Sequence, residues 1–204
     1  MIRDWVKTVP QAQISPFAFL AMPGTTADEQ RICADNWVSN RFAQLFANAQ
    51  SADFSANCKH RKLRVGYLSS DFRLHPLAFL ISELIECHDR TQFEIYAYSN
   101  AADDKTPERK RLEKAFDHFI DIRKLSIPQA AERIRQDQID ILVDLTGFTQ
   151  ASRTALVALK PAPVSINWLG FPGTMGAYKG KPLFDYILTD DFVMPISEDV
   201  NFAE

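Results

Sequence analysis

The chain has 204 residues, 46% of them hydrophobic and 24% charged, with a formal net charge of -3 and a pI near 5.8. This composition supplies one full core, and the lack of a basic field excludes nucleic acid or an anionic membrane as a partner attracted by overall charge. No apolar run approaches the roughly 20 residues needed to span a bilayer. The opening "MIRDWVKTVPQAQ" lacks the apolar centre of a signal peptide, so a cytoplasmic location is expected.

Residues 1–24 hold three prolines and read as an irregular lead-in. Thr26 and Glu29 form a capping box, and Ile32, Cys33, Trp37, Val38, Phe42, Leu45 and Phe46 recur at helical spacing, so a helix follows whose apolar stripe needs cover. The small, polar stretch 47–60 reads as a linker. From residue 63 strand and helix patterns alternate. Strands are expected at 63–69, 93–99, 118–122, 139–145, 163–169 and 184–190. Helices are expected at 76–88, from Thr106–Pro107, from Ser126 to Gln136, and briefly near 151–159. The fold class is therefore α/β, a Rossmann-like doubly wound parallel sheet over 61–204, preceded by a helical segment over 1–60. Ligands of such sheets bind beyond the carboxyl ends of the strands, so the loops 69–76, 99–106, 145–151 and 169–180 should meet at one edge.

The three cysteines, Cys33, Cys58 and Cys87, are widely spaced and fit reduced thiols. His88 beside Cys87 is a weak metal pattern, and the acidic pairs at 103–104 and 190–191 read as solvated loop residues, so no metal is expected. The first strand ends in "SSDFRLHP", without the G-x-G-x-x-G of a dinucleotide site, and no P-loop occurs. That turn holds Asp71 and His75, with Pro76 opening a helix. A histidine at a helix start sits near partial positive charge, which favours the neutral imidazole that can hydrogen-bond a hydroxyl or accept its proton. Position alone leaves open a histidine that only caps the helix.

His118 opens a short strand, where a structural role is equally open. "DLTGFT" at 144–149 places Asp144, Thr146 and Thr149 around Gly147, either as a structural turn or as part of the site. "WLGFPGTMGAYKG" at 168–180 holds four of the seven glycines in the chain. Glycine is favoured where backbone takes positive φ or lies close to another group, so this loop is a candidate binding surface as well as a candidate surface turn.

"LRVGYLSSDFRLHP", "DHFIDI", "IDILVDLTGFT", "KPAPVSINWLGFPGTMG" and "FDYILTDD", in this order, resemble the amino-terminal catalytic half of the O-linked N-acetylglucosamine transferase and SPINDLY family, glycosyltransferase family 41. The resemblance runs from about Leu63 to Glu204. It implies one half of a GT-B type, inverting glycosyltransferase that moves a sugar, N-acetylglucosamine from UDP-N-acetylglucosamine foremost, to Ser or Thr hydroxyls of an acceptor protein, with no required metal or cofactor. It implies His75 and His118 as catalytic-site residues. Asp71, Thr146, Gly147, Leu169, Gly170, Phe171, Pro172, Gly173 and Thr174 are implied on the substrate side, the glycines letting backbone approach the sugar. It also implies that a carboxy-terminal nucleotide-binding half is missing, which leaves the isolated chain inactive. The alternative is a non-catalytic peptide-binding module that works with a separate nucleotide-binding partner. The stretch after Gly176 is longer than in the animal enzymes of the family.

Overall fold

A computed structural model of the chain describes residues 2–11, 13–49, 54, 62–194 and 202–204. Eight strands occur among them: β1 (Leu63–Ser69), β2 (Phe93–Ser99), β3 (His118–Asp121), β4 (Ile141–Asp144), β5 (Val164–Trp168), β6 (Ala177–Tyr178), β7 (Lys181–Pro182) and β8 (Tyr186–Leu188). Six form one parallel sheet in the order β3-β2-β1-β4-β5-β8, as the alternating pattern predicts. Order reverses at β1, which pairs with β2 on one side and β4 on the other. The gap between β1 and β4 is the topological switch point.

The helices are α1 (Ile2–Thr8), α2 (Pro16–Leu20), α3 (Ala27–Asn48), α4 (Pro76–Glu86), α5 (Pro107–Ala115) and α6 (Ile127–Gln136), with a 3-10 helix over Thr154–Leu159. Alternation along β1 divides the core. Val65 and Tyr67 join Ile81 and Ile85 of α4 and Leu112 of α5 in one layer. Leu68 and, on β2, Tyr96 and Tyr98 join Ile134 of α6 and Leu156 of the 3-10 helix in the other. Ile81, Ile85, Leu112 and Ile134 are fully buried, and each such side chain stabilises the fold by about 1.5–3 kcal/mol.

The helical stripe of α3 is covered as expected. Ala34, Val38 and Phe42 lie in the same core cluster as Leu156 and Met175. Contact is close at Gly176, where an added Cβ would stand 2.6 Å from the Ala34 carbonyl carbon, and Asp35 Oδ1 accepts a 2.7 Å hydrogen bond from Ala177 N–H. The helix therefore packs directly onto the sheet domain. Most of the stretch read as a linker, 47–60, lies outside the described residues, as does Cys58.

The lead-in is not irregular: α1 and α2 occupy much of it. Pro16 stands at the first turn of α2, where proline is tolerated. Val6 and Phe19 pack with Cys33 in a small satellite core. The Glu29 carboxylate, 2% exposed, takes ion pairs from Arg3 at 2.8 Å and Lys7 at 2.9 Å while closing the Thr26 capping box. These contacts join distant residues, so proline counting alone could not reveal them. No helix among the described residues is long and apolar enough to cross a membrane.

Candidate active site

The four strand-end loops meet. They enclose a cleft of about 750 Å³ at the β1/β4 switch point, lined by Ser70, Asp71, Arg73 and His75 after β1, Asn100 to Ala102 after β2, and Leu145 and Thr149 to Ala151 after β4. Gly170 of the glycine-rich loop and Phe17 of α2 complete the wall. A cavity of about 650 Å³ lies elsewhere, against Tyr67, Leu84, Val143, Ile166, Trp168 and Leu188. Its walls are mainly apolar, and His88 at its rim is already bound to the Tyr67 hydroxyl and the Leu84 carbonyl oxygen. Convergent polar groups make the strand-end cleft the candidate site.

His75 caps α4: its Nδ1 accepts the Leu77 N–H at 3.2 Å. In the neutral ring the proton then sits on Nε2, which lies 3.8 Å from Asp71 Oδ1. Capping and a role in the cleft are thus compatible, with Nε2–H as the donor that remains. Asp71 is held by three groups: its N–H donates to Ser69 Oγ at 2.9 Å, Ser70 Oγ donates to Oδ2 at 3.3 Å, and Arg73 donates to Oδ1 at 3.2 Å. Among the described residues that line the cleft, Arg73 is the one lysine or arginine, and it is engaged by this carboxylate.

The remaining expected residues separate into three places. Leu169, Phe171 and Pro172 line a neighbouring recess of about 250 Å³ with Ile187 and Asp190. Thr146, Gly147, Gly173 and Thr174 do not line the cleft. Thr146 Oγ1 instead accepts the Ser70 N–H at 3.2 Å, joining the turns after β1 and β4, and Thr174 is buried against Glu204. The structure does not bring His118 to the cleft. It begins the edge strand β3 rather than ending it, its Nε2 lies 2.8 Å from Glu94 Oε1, and its ring stacks on Tyr96 at 4.3 Å.

The glycines have a structural task of their own. A Cβ on Gly170 would stand 2.0 Å from the Leu145 carbonyl oxygen, and one on Gly147 would stand 2.3 Å from Phe171 Cβ. These positions are glycine because one strand-end loop lies on another, before any sugar is considered. The stretch after Gly176 is a hairpin, β6 with β7, turned by Lys179 and Gly180, both at positive φ. The acidic pairs serve turns: Asp104 accepts the Leu74 N–H at 2.7 Å and caps Thr106, and Asp190 accepts the N–H of Phe192 and Val193.

Sequence reasoning missed Phe17, Ser70, Asn100 and Gln150 as cleft residues. The "SP" before "FAFL" is a helix-start pattern that could have shown α2. Nothing local could have placed that helix at the cleft.

Asp144, at the end of β4, holds the loop behind the cleft. It is fully buried, and burial pushes its carboxyl up to about 6 against hydrogen bonds from Thr154 and the backbone of Thr146 and Gly147. Thr154 Oγ1 also lies 3.0 Å from the Gly147 carbonyl oxygen. One hydroxyl proton serves one of these oxygens at a time: it goes to Asp144 Oδ2 when the acid is ionised, and is free for the Gly147 carbonyl when the acid is protonated and can itself donate to Thr154 Oγ1. Because the folded state prefers the protonated acid, the stability from this group is full below about pH 3.8 and is lost as pH rises through about 6. Asp144→Asn keeps the shape and removes the ionisation. Its stability relative to the parent should rise by about 2 to 2.5 kcal/mol between pH 4 and pH 7.5 in urea melts. A difference that stays flat across this range contradicts the assignment.

Comparisons with known proteins bear on the family and the fold. The family model described as Glycosyl transferase family 41 matches residues 29–204. The chain belongs to glycosyltransferase family 41. This family-41 chain is 40% identical over 136 residues to the probable UDP-N-acetylglucosamine–peptide N-acetylglucosaminyltransferase SEC of Arabidopsis thaliana, covering 67% of the chain and 14% of that protein. It is 39% identical over 145 residues to the UDP-N-acetylglucosamine–peptide N-acetylglucosaminyltransferase of Caenorhabditis elegans, covering 71% and 12%. A mutant of the Thermobaculum terrenum O-GlcNAc transferase superposes with a TM-score of 0.78 at 31% identity, over 93% of the chain and 35% of that structure. The chain thus spans a small part of the curated relatives it matches.

Proposed function

We propose that the chain forms the sugar- and acceptor-side part of a protein O-glycosyltransferase that moves N-acetylglucosamine from UDP-N-acetylglucosamine to Ser or Thr hydroxyls. The observation that carries this reading is the cleft at the switch point of a family-41 sheet, where the Asp71 carboxylate, the His75 Nε2–H and the Gly170 backbone converge. In the transfer, the hydroxyl oxygen bonds to the anomeric carbon as the bond from that carbon to the diphosphate oxygen breaks. The hydroxyl proton needs an acceptor, and the Asp71 carboxylate lines the cleft. His75 Nε2–H is placed to hydrogen-bond a sugar or acceptor oxygen and fix its direction.

The departing diphosphate needs cationic or N–H partners, and Arg73, the cleft's guanidinium, is already paired with Asp71. Transfer therefore requires groups beyond these residues. The test is an assay with radiolabelled UDP-N-acetylglucosamine and a Ser/Thr-containing acceptor protein. The protein as encoded in its source should label the acceptor, whereas residues 1–204 alone should give negligible transfer. Robust turnover by residues 1–204 overturns the dependence on further groups. Release of sugar to water with no labelled acceptor overturns the assignment of a protein substrate.

A further inference from the structure

Phe17 is not explained by folding. It sits on the five-residue helix α2, between residues that do pack: Pro16 and Phe19 are buried, and Leu20 lies against the main core and 3.7 Å from where a Cβ on Gly173 would stand. Phe17 itself is 51% exposed, yet it lines the same cleft as Asp71, His75, Thr149 and Gly170. The helix is thus anchored by its neighbours while a large apolar ring forms part of a wall otherwise rich in hydrogen-bonding groups. The match to the family model begins at residue 29, so this wall comes from outside the matched region.

A pyranose is the ligand whose chemistry fits such a wall. Its hydroxyls lie around the rim, and its faces are C–H groups with slight positive charge. The face of an aromatic ring is negative and attracts them, while polar groups across the cleft serve the rim. We propose that Phe17 is the platform on which the sugar ring packs in this cleft, a residue that selects for the sugar rather than one that reacts. The proposal rests on the reading of the cleft as the sugar site.

The test is saturation-transfer NMR on the 204-residue chain with methyl N-acetyl-β-glucosaminide as the probe, using the parent, Phe17→Ala, Phe17→Trp and His75→Ala. Phe17→Ala should weaken binding about three- to tenfold, and Phe17→Trp, which keeps an aromatic face, should restore it. Because Phe17 is half-exposed, both variants should melt with the parent. If Phe17→Ala binds as the parent does while His75→Ala binds more weakly, the platform is overturned and the cleft reading stands. Equal loss in Phe17→Ala and Phe17→Trp also overturns the platform, since the ring face is then not the cause. If the parent shows no transfer to the probe, the cleft does not hold this sugar and both readings fall.

Discussion

Gly170→Ala should be the most damaging single-methyl change in the site, costing about 3 kcal/mol or more. The added carbon would stand 2.0 Å from the Leu145 carbonyl oxygen and 2.7 Å from its carbon. Both are backbone atoms at the end of the central β4, and they cannot rotate away as a side chain can. Relief requires the loop to lift off the turn after β4, which separates Phe171 from Phe148, whose ring centroids lie 5.5 Å apart, and pulls at the Asn167 bond to the Phe171 carbonyl oxygen. Overpacking of a tight core typically costs about 1–3 kcal/mol, and an immobile obstacle puts this site at the upper end or beyond. For a chain of this size the loss corresponds to a drop in melting temperature of roughly 6–12 °C. Gly180→Ala is the control. That glycine has φ +75 and nothing within 4 Å of an added Cβ, so only the backbone conformation opposes the change, at about 1 kcal/mol. If Gly170→Ala melts as high as Gly180→Ala, the contact between the two strand-end loops is wrong.

Substitution of His75 should lower turnover strongly. In an assay that supports transfer, His75→Ala is expected to lower kcat by about 10²- to 10³-fold, the usual cost of removing one preorganised hydrogen-bond donor. Alanine also removes the cap that His75 Nδ1 supplies to Leu77 N–H, worth about 1 kcal/mol of stability. His75→Asn separates the two roles. Asparagine is a good cap and can accept the same N–H, but it offers nothing at the position of Nε2 beside Asp71. The expected outcome is an Asn variant that melts like the parent and turns over like the Ala variant. An Asn variant with near-parental kcat would reduce His75 to a helix cap.

Much of the fold was legible because its determinants are local. Apolar runs alternating with helix signals located all six strands of the sheet, and the caps at Thr26–Glu29 and Ser126–Gln129 and the Thr106–Pro107 start appear in the structure with their side-chain hydrogen bonds formed. The site was legible only in part, for the opposite reason. Asp71 and His75 lie in a turn after the first strand, where the rule for parallel sheets puts ligands. Phe17 reaches the same cleft through packing of Phe19, Leu20 and Val6, and no local pattern encodes that contact. His118 was assigned to the site by resemblance, yet its position is set by cross-strand pairing with Tyr96 and Glu94, which a single strand's pattern cannot reveal. The glycines were recognised as constrained, but which group they make room for depends on Leu145, Phe171 and Ala34, all distant or on other elements.

The reversal of strand order at β1 has a consequence for chain entropy. Joining β1 to β2 brings together residues such as Arg64 and Glu94, 30 apart, whereas closing the floor of the cleft joins Ser70 to Thr146, 76 apart. Because the entropy of loop closure grows only with the logarithm of loop length, the longer connection costs just about 0.8 kcal/mol more than the shorter one. A site assembled from two distant turns is therefore scarcely harder to close than a neighbouring strand pair.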